Sequence, residues 1–204
     1  MSTTVAIARH GRTPWHADHR YVGSSDIPID EVGRRQAREL AGWAREFAPS
    51  ALFCSPLRRT RQTMEPVVAA VGVEATVDPR LREVDFGIGE GRTLDEVDEE
   101  VARRFRADPV TDHFPGGEDP REAAERAVEW VVEVGRGHEG RRVLAVAHGT
   151  LIRLVLCSAM GIPLKEYRRA MPAVRSVGLT LLRVDGERIA MEGFNVPPVP
   201  GRMD

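Results

Sequence analysis

The chain has 204 residues, 42% of them hydrophobic, with 29 basic against 31 acidic side chains and a formal net charge of −2. That is enough apolar material for a single domain over 1–204, and too balanced a charge for a general nucleic-acid-binding surface. Lys165 is the only lysine, which removes a Walker-type phosphate loop, a Schiff base and a catalytic Lys and leaves arginine, the better bidentate fork, to meet any anion.

"TVAIA" (4–8) is β-branched and apolar and predicts a buried strand ending on Arg9, His10 and Gly11. An irregular polar stretch follows to Ile29, with "GSSDIP" marking turns. Asp30 is placed to cap a helix whose apolar face is Ala37, Leu40, Ala41 and Ala44. "ALFC" (51–54) predicts a second strand, "SPL" its exit and Arg58 to Val71 a second helix. A short strand at 75–77 precedes "LREVDFGIGEG", which is glycine-rich and loop-like.

The spacing predicts a helix over 93–108, within a helical insert over about 93–118 that "VTDHFPGGE" ends. Asp119, Pro120 and Glu122 then read as a capping box with a proline start, and the buried stripe behind them as Ala124, Ala127, Val128, Val131 and Val132. "RVLAVA" (142–147) is the clearest strand, with "TLIRLVLCSAM" the helix behind it. "VGLTLLRV" and "RIAMEGF" flank an Asp185-Gly186 turn, and a proline-rich tail over 195–204 reads as loose. This alternation implies an α/β fold, a three-layer sandwich with a mainly parallel central sheet.

Cys54 and Cys157 lie in apolar stretches without metal-ligand spacing and read as core residues in a reducing compartment. With no signal-peptide pattern and no run near the ~20 apolar residues of a membrane span, the expectation is a cytoplasmic protein without nucleic-acid or membrane partners. A homodimer is compatible with the chain.

In open α/β sheets ligands sit at the carboxyl ends of the strands, where Arg9-His10-Gly11 and His148-Gly149 both fall. A histidine there can have one ring nitrogen held by a local carbonyl and the other, neutral, free to attack phosphorus. Such an attack needs cationic donors around the equatorial oxygens, and Arg9 and the arginines of "SPLRRTRQT" supply them. His148, heading a helix, adds a donor and a helix N-terminus. The leaving alcohol needs a proton, and the residues alone leave Glu83, Asp85, Glu90 and Glu118 open as its source. His10, His16 and His19 lack the spacing of a metal-ligand set, so no metal or other cofactor is called for.

"ARHGRTPWH", "SPLRRTRQT", "LREVDFGIGEG", "PGGED" and "VAHGTLIR", in this order and spacing, resemble the histidine phosphatase superfamily in its phosphoglycerate-mutase-like branch. The resemblance implies a phosphomonoesterase acting on a small phosphoester through a phosphohistidine on His10. It implies a phosphate pocket of Arg9, Arg59 and His148, with Gly149 beside it, a contact from Thr13, and Glu83 as proton donor. His16 stands where the family often has Asn. Arg12 departs from the acidic or amide residue that usually follows RHG, and "AHGT" replaces the commoner AHGG. "EVDFGIGEG" matches the phosphatase members, whereas mutases follow the proton-donor Glu with Arg and a Tyr-Gly segment. A phosphoglycerate mutase and an inactive phosphate-binding module are the alternatives. Arg12 and Arg20, were they to line the mouth, would favour substrates with a second anionic group.

Overall fold

The computed structural model describes residues 1–199. Six strands form one sheet: β1 (Thr3–Arg9), β2 (Ala51–Cys54), β3 (Ala75–Val77), β4 (Arg142–Ala147), β5 (Leu179–Asp185) and β6 (Arg188–Val196). Their order is β3-β2-β4-β1-β5-β6. The first four in that order run parallel, and β5 and β6 add an antiparallel edge.

Strand residues alternate between two apolar layers, as a period of two requires. Val5, Ile7, Val143 and Ala145 face α4 (Pro120–Gly137) and α5 (Gly149–Met160) on one side. Ala6, Ala8, Leu144 and Val146 face α1 (Glu31–Phe47) and α2 (Arg58–Val71) on the other. Because β1 and β4 are covered on both faces, their sequences read as continuous apolar runs. Each fully buried aliphatic side chain contributes roughly 1.5–3 kcal/mol, so the two central strands are the most strongly anchored part of the sheet.

Four local expectations need correction. The 93–108 stretch is not one helix: a 3-10 turn at Leu94–Glu96 ends before Val97, and Asp98 opens α3 (Glu99–Ala107) by accepting bonds from the Glu100 and Val101 amides. In α4 the buried stripe runs through Ala123, Ala124, Ala127, Trp130, Val131 and Val134, leaving Val128 and Val132 only half-buried. Trp130, wholly enclosed, is the largest side chain of that stripe. Asp119 caps α4 by accepting from the Arg121 amide, and it pairs with the Arg121 guanidinium, so Arg121 and not Glu122 is the partner of that cap. The last strand runs on through Asn195 and Val196, and residues 200–204 of the expected tail lie outside the described residues. Cys54 and Cys157 are buried free thiols. Among the described residues no helix is long and apolar enough to cross a membrane.

What positions the site is the β1–β4 register. Arg9 is paired with Ala147, so His10 and His148 leave two neighbouring parallel strands at the same edge.

Candidate active site

His10 follows β1 with its amide bonded to the Ala147 carbonyl at 3.0 Å, and its ring Nδ1 lies 2.7 Å from the Gly11 carbonyl oxygen. A carbonyl can only accept, so Nδ1 carries the proton and Nε2 keeps its lone pair. Gly11 is there for closeness of approach and not for a left-handed backbone. A Cβ on it would lie 2.7 Å from the Gly33 carbonyl oxygen, and one on Gly33 would lie 2.3 Å from that of Arg12. Strand exit and helix α1 therefore touch backbone to backbone. Thr63, from α2, locks the same turn by accepting the Gly11 amide and donating to the Arg59 carbonyl.

The His10 ring is 5.3 Å from that of His148 and 5.6 Å from that of His16, centroid to centroid. Arg9 passes beneath Gly149, where a Cβ would stand 3.2 Å from its Nε. Its Nη1 donates to the Val174 carbonyl at 2.6 Å and its Nη2 meets His16 Nε2 at 2.5 Å. Its Nε–H is buried without a partner. His16 bridges Arg9 and the turn: its Nε2 meets the Arg9 guanidinium, and its Nδ1 lies 3.1 Å from the Thr13 amide nitrogen and 2.8 Å from Thr13 Oγ1.

Arg59 is wholly buried and nearly saturated: it donates to the carbonyls of Ser25, Val22 and Gly23 and, through Nε, to His148 Nδ1 at 3.3 Å. That bond puts the His148 proton on Nε2, 2.9 Å from Ser55 Oγ. Arg9, His10, His16, Glu83 and Gly149 thus form the visible floor of a cleft of about 560 Å³. Arg59, His148 and Thr13 lie directly beneath it, buried.

Of the four loop carboxylates, only Glu83 lines the cleft. Its oxygens accept from the amides of Val84, Thr150 and Leu151, the last two being free donors in the first turn of α5. The other three build the loop. Asp85 accepts from the Gly87 amide, and Glu90 takes the amides of Gly23, Ser24, Ser25 and Phe86. Glu118 pairs with Arg126, which also donates to the Arg80, Arg82 and Glu83 carbonyls and so holds the Glu83 segment in place.

The crowding of cations sets the electrostatics. Burial first, and then Arg59, His148, Arg9 and His16, hold the His10 pKa well below its usual value. Burial, Arg59 and Arg9 do the same to His148. His16 is pushed down to about 3 by burial and Arg9, and burial lowers Arg9 and Arg59 to about 10 each. At neutral pH the imidazoles are uncharged and the guanidiniums charged: neutral rings with a free lone pair beside a surplus of positive charge.

Reading the sequence misses the upper wall of the cleft. Tyr21, Phe86, Arg153, Tyr167, Arg168 and Pro172 line it together with His19 and Arg20. Arg20 reaches the mouth but is held by Glu96 at 2.6 and 3.0 Å. Arg12 does not line the cleft; it turns to α1, where its Nε pairs with Asp30 at 2.7 Å.

The sequence profile of the histidine phosphatase superfamily (branch 1) matches residues 5–197. The chain belongs to this superfamily. It is 35% identical over 168 residues to a protein of Enterobacter sp. (strain 638) named probable phosphoglycerate mutase GpmB, covering 81% of this chain and 78% of that one. Among solved structures it resembles Bacillus stearothermophilus YhfR, with a TM-score of 0.88, 29% identity and coverage of 95% and 97% of the two chains. It also resembles a mycobacterial glucosyl-3-phosphoglycerate phosphatase solved with VO3, with a TM-score of 0.85, 27% identity and coverage of 95% and 99%. Branch and fold are thus shared with proteins named for both mutase and phosphatase activities.

Proposed function

We propose that this chain is a metal-independent phosphomonoesterase that hydrolyses a small phosphorylated metabolite through a phosphohistidine on His10. The observation that carries the reading is the His10 ring: Nδ1 is tied to the Gly11 carbonyl, Nε2 faces the cleft unprotonated, and the buried Nε–H of Arg9 beside it has no partner. The Nε2 lone pair attacks phosphorus, the N–P bond forms and the P–O ester bond breaks. Glu83 gives a proton to the departing alkoxide as general acid. Water then attacks phosphorus and loses a proton to the Glu83 carboxylate. The N–P electron pair returns to His10, and inorganic phosphate leaves.

Arg9, Arg59, His148 and the α5 N-terminus meet the equatorial oxygens in this scheme, with Thr13 and His16 orienting Arg9. For His148 to donate from Nδ1, its proton must move from Nε2. The Ser55 hydroxyl, an acceptor in the present network, turns to donate in its place. The names of the curated relatives favour a mutase as second reading. The open, water-accessible mouth and the short middle segment favour hydrolysis, because a mutase must hold its acceptor and exclude water.

Two measurements test the reading. Rapid quench with labelled substrate is expected to trap acid-labile, base-stable phosphate on His10, after exhaustive chelation as well as before it; label on Ser, Asp or Cys sinks the mechanism. Incubation with 3-phosphoglycerate and catalytic 2,3-bisphosphoglycerate is expected to release inorganic phosphate. Rapid isomerisation with little hydrolysis would establish the mutase.

A further inference from the structure

The cleft is much larger than a phosphoryl group, and its upper wall carries charge that the hydrolysis scheme leaves unused. Arg153 is four residues after Gly149 in α5, on the helix face that looks toward the floor. Its Nε donates to the Met171 carbonyl at 2.6 Å and its Nη2 to that of Pro172 at 3.0 Å. Arg168, from α6 (Tyr167–Ala170), lies over the rings of Tyr21 and Phe105, 5.7 and 5.3 Å from their centroids, and donates from Nη1 to Tyr21 Oη at 3.0 Å.

Carbonyls, hydroxyls and rings orient both guanidiniums without neutralising them. Among the described residues neither forms an ion pair, and the carboxylate with the largest pull on Arg153 is Glu83, which the reaction itself employs. Their neighbours differ: Arg20 is matched by Glu96, and Arg169 by Glu166. Two oriented, uncompensated forks facing one cavity, above a floor that already handles one phosphate, form a receptor for a second anion.

We infer that Arg153 and Arg168 form a specificity subsite that binds a second anionic group, carboxylate or phosphate, on the substrate. This assigns to Arg153 and Arg168 the role that the sequence suggests for Arg12 and Arg20, and it rests on the phosphomonoesterase reading. Charge-assisted bonds of this kind are worth on the order of a tenfold to hundredfold preference.

The test compares kcat/KM for phosphoserine with that for phosphoethanolamine, which lacks only the carboxylate, and for fructose 1,6-bisphosphate with that for fructose 6-phosphate. The wild-type protein is expected to favour the more anionic member of at least one pair by about tenfold or more, and the favoured pair names the anion. Arg168→Gln is expected to bring that ratio close to one, and added salt to erode it. Arg153→Lys, which keeps charge but loses the fork, is expected to lower it less, and Arg20→Gln to preserve it. Ratios near one in the wild type, or an Arg168→Gln protein that loses both members equally, overturn the subsite while the phosphatase reading survives. If the wild type hydrolyses none of these esters and not p-nitrophenyl phosphate either, the phosphatase reading itself falls, and the subsite with it.

Discussion

At the strand ends His10 is 3% exposed, and Arg59 and His148 are fully buried, each held through partners from separate elements. Some residues away at the mouth, His19 and Arg168 stand in solvent, on a turn and a one-turn helix. The first region is fixed by two covered strands and has no room to vary. The second is carried by segments whose side chains change without disturbing either apolar layer. In the proposed reading the difference separates the labour: the floor supplies the phosphomonoesterase chemistry, and the rim selects which ester enters.

The comparison breaks first at His10. His10→Ala is expected to lower kcat by roughly 10⁴- to 10⁶-fold, as loss of a nucleophile does, for every ester in a panel; a loss confined to some of them would place His10 with the rim. Glu83→Gln is expected to slow alkyl phosphates by ~10²- to 10⁴-fold and aryl phosphates much less, because a good leaving group needs little protonation. Equal losses would restrict Glu83 to dephosphorylating the enzyme. Arg59→Ala is expected to cost ~10²- to 10³-fold in kcat and to lower the unfolding midpoint as well, since the carbonyls of Val22, Gly23 and Ser25 lose their donor. A wild-type rate would make Arg59 a scaffold residue only.

Titration sharpens the same contrast. His10, His16 and His148 hold fewer protons folded than unfolded, so their neutral state stabilises the fold fully above an unfolded pKa of ~6.5 and less as pH falls toward the depressed folded values. Urea unfolding at pH 7 and pH 5 is expected to show stability falling by up to ~1.4 kcal/mol per pH unit for each histidine, and His16→Asn to shallow the slope. A slope of opposite sign would mean that the three rings are charged in the fold. The smallest effect belongs to Arg12→Ala, whose half-buried pair with Asp30 lies away from the cleft and is worth about 1 kcal/mol; kcat/KM is expected to stay within about twofold for charged and uncharged substrates alike.

Much of this organisation is legible in the residues. The strands at 51–54, 75–77 and 142–147 and the caps at Asp30 and Asp119 announce themselves through local patterns. Glu83 needs a fold to be told from its three loop neighbours, because what distinguishes them is which backbone amides they reach. The break before α3 is concealed by a continuous helix-like pattern that Asp98 interrupts by capping. Arg153, Arg168 and Tyr21 are invisible as a group, since Tyr21 and Arg168 are 147 positions apart and meet only through tertiary packing.

The contact between Gly11 and Gly33 bears on how such an enzyme diversifies. With two main chains touching and no side chain between them, neither position has a tolerated neighbour in sequence space. Adaptive change toward a new substrate is thereby channelled away from the turn that carries His10 and into the loops above it. Laboratory evolution of this scaffold should accumulate its useful substitutions around residues 19–21, 153 and 167–172, and find positions 11 and 33 closed.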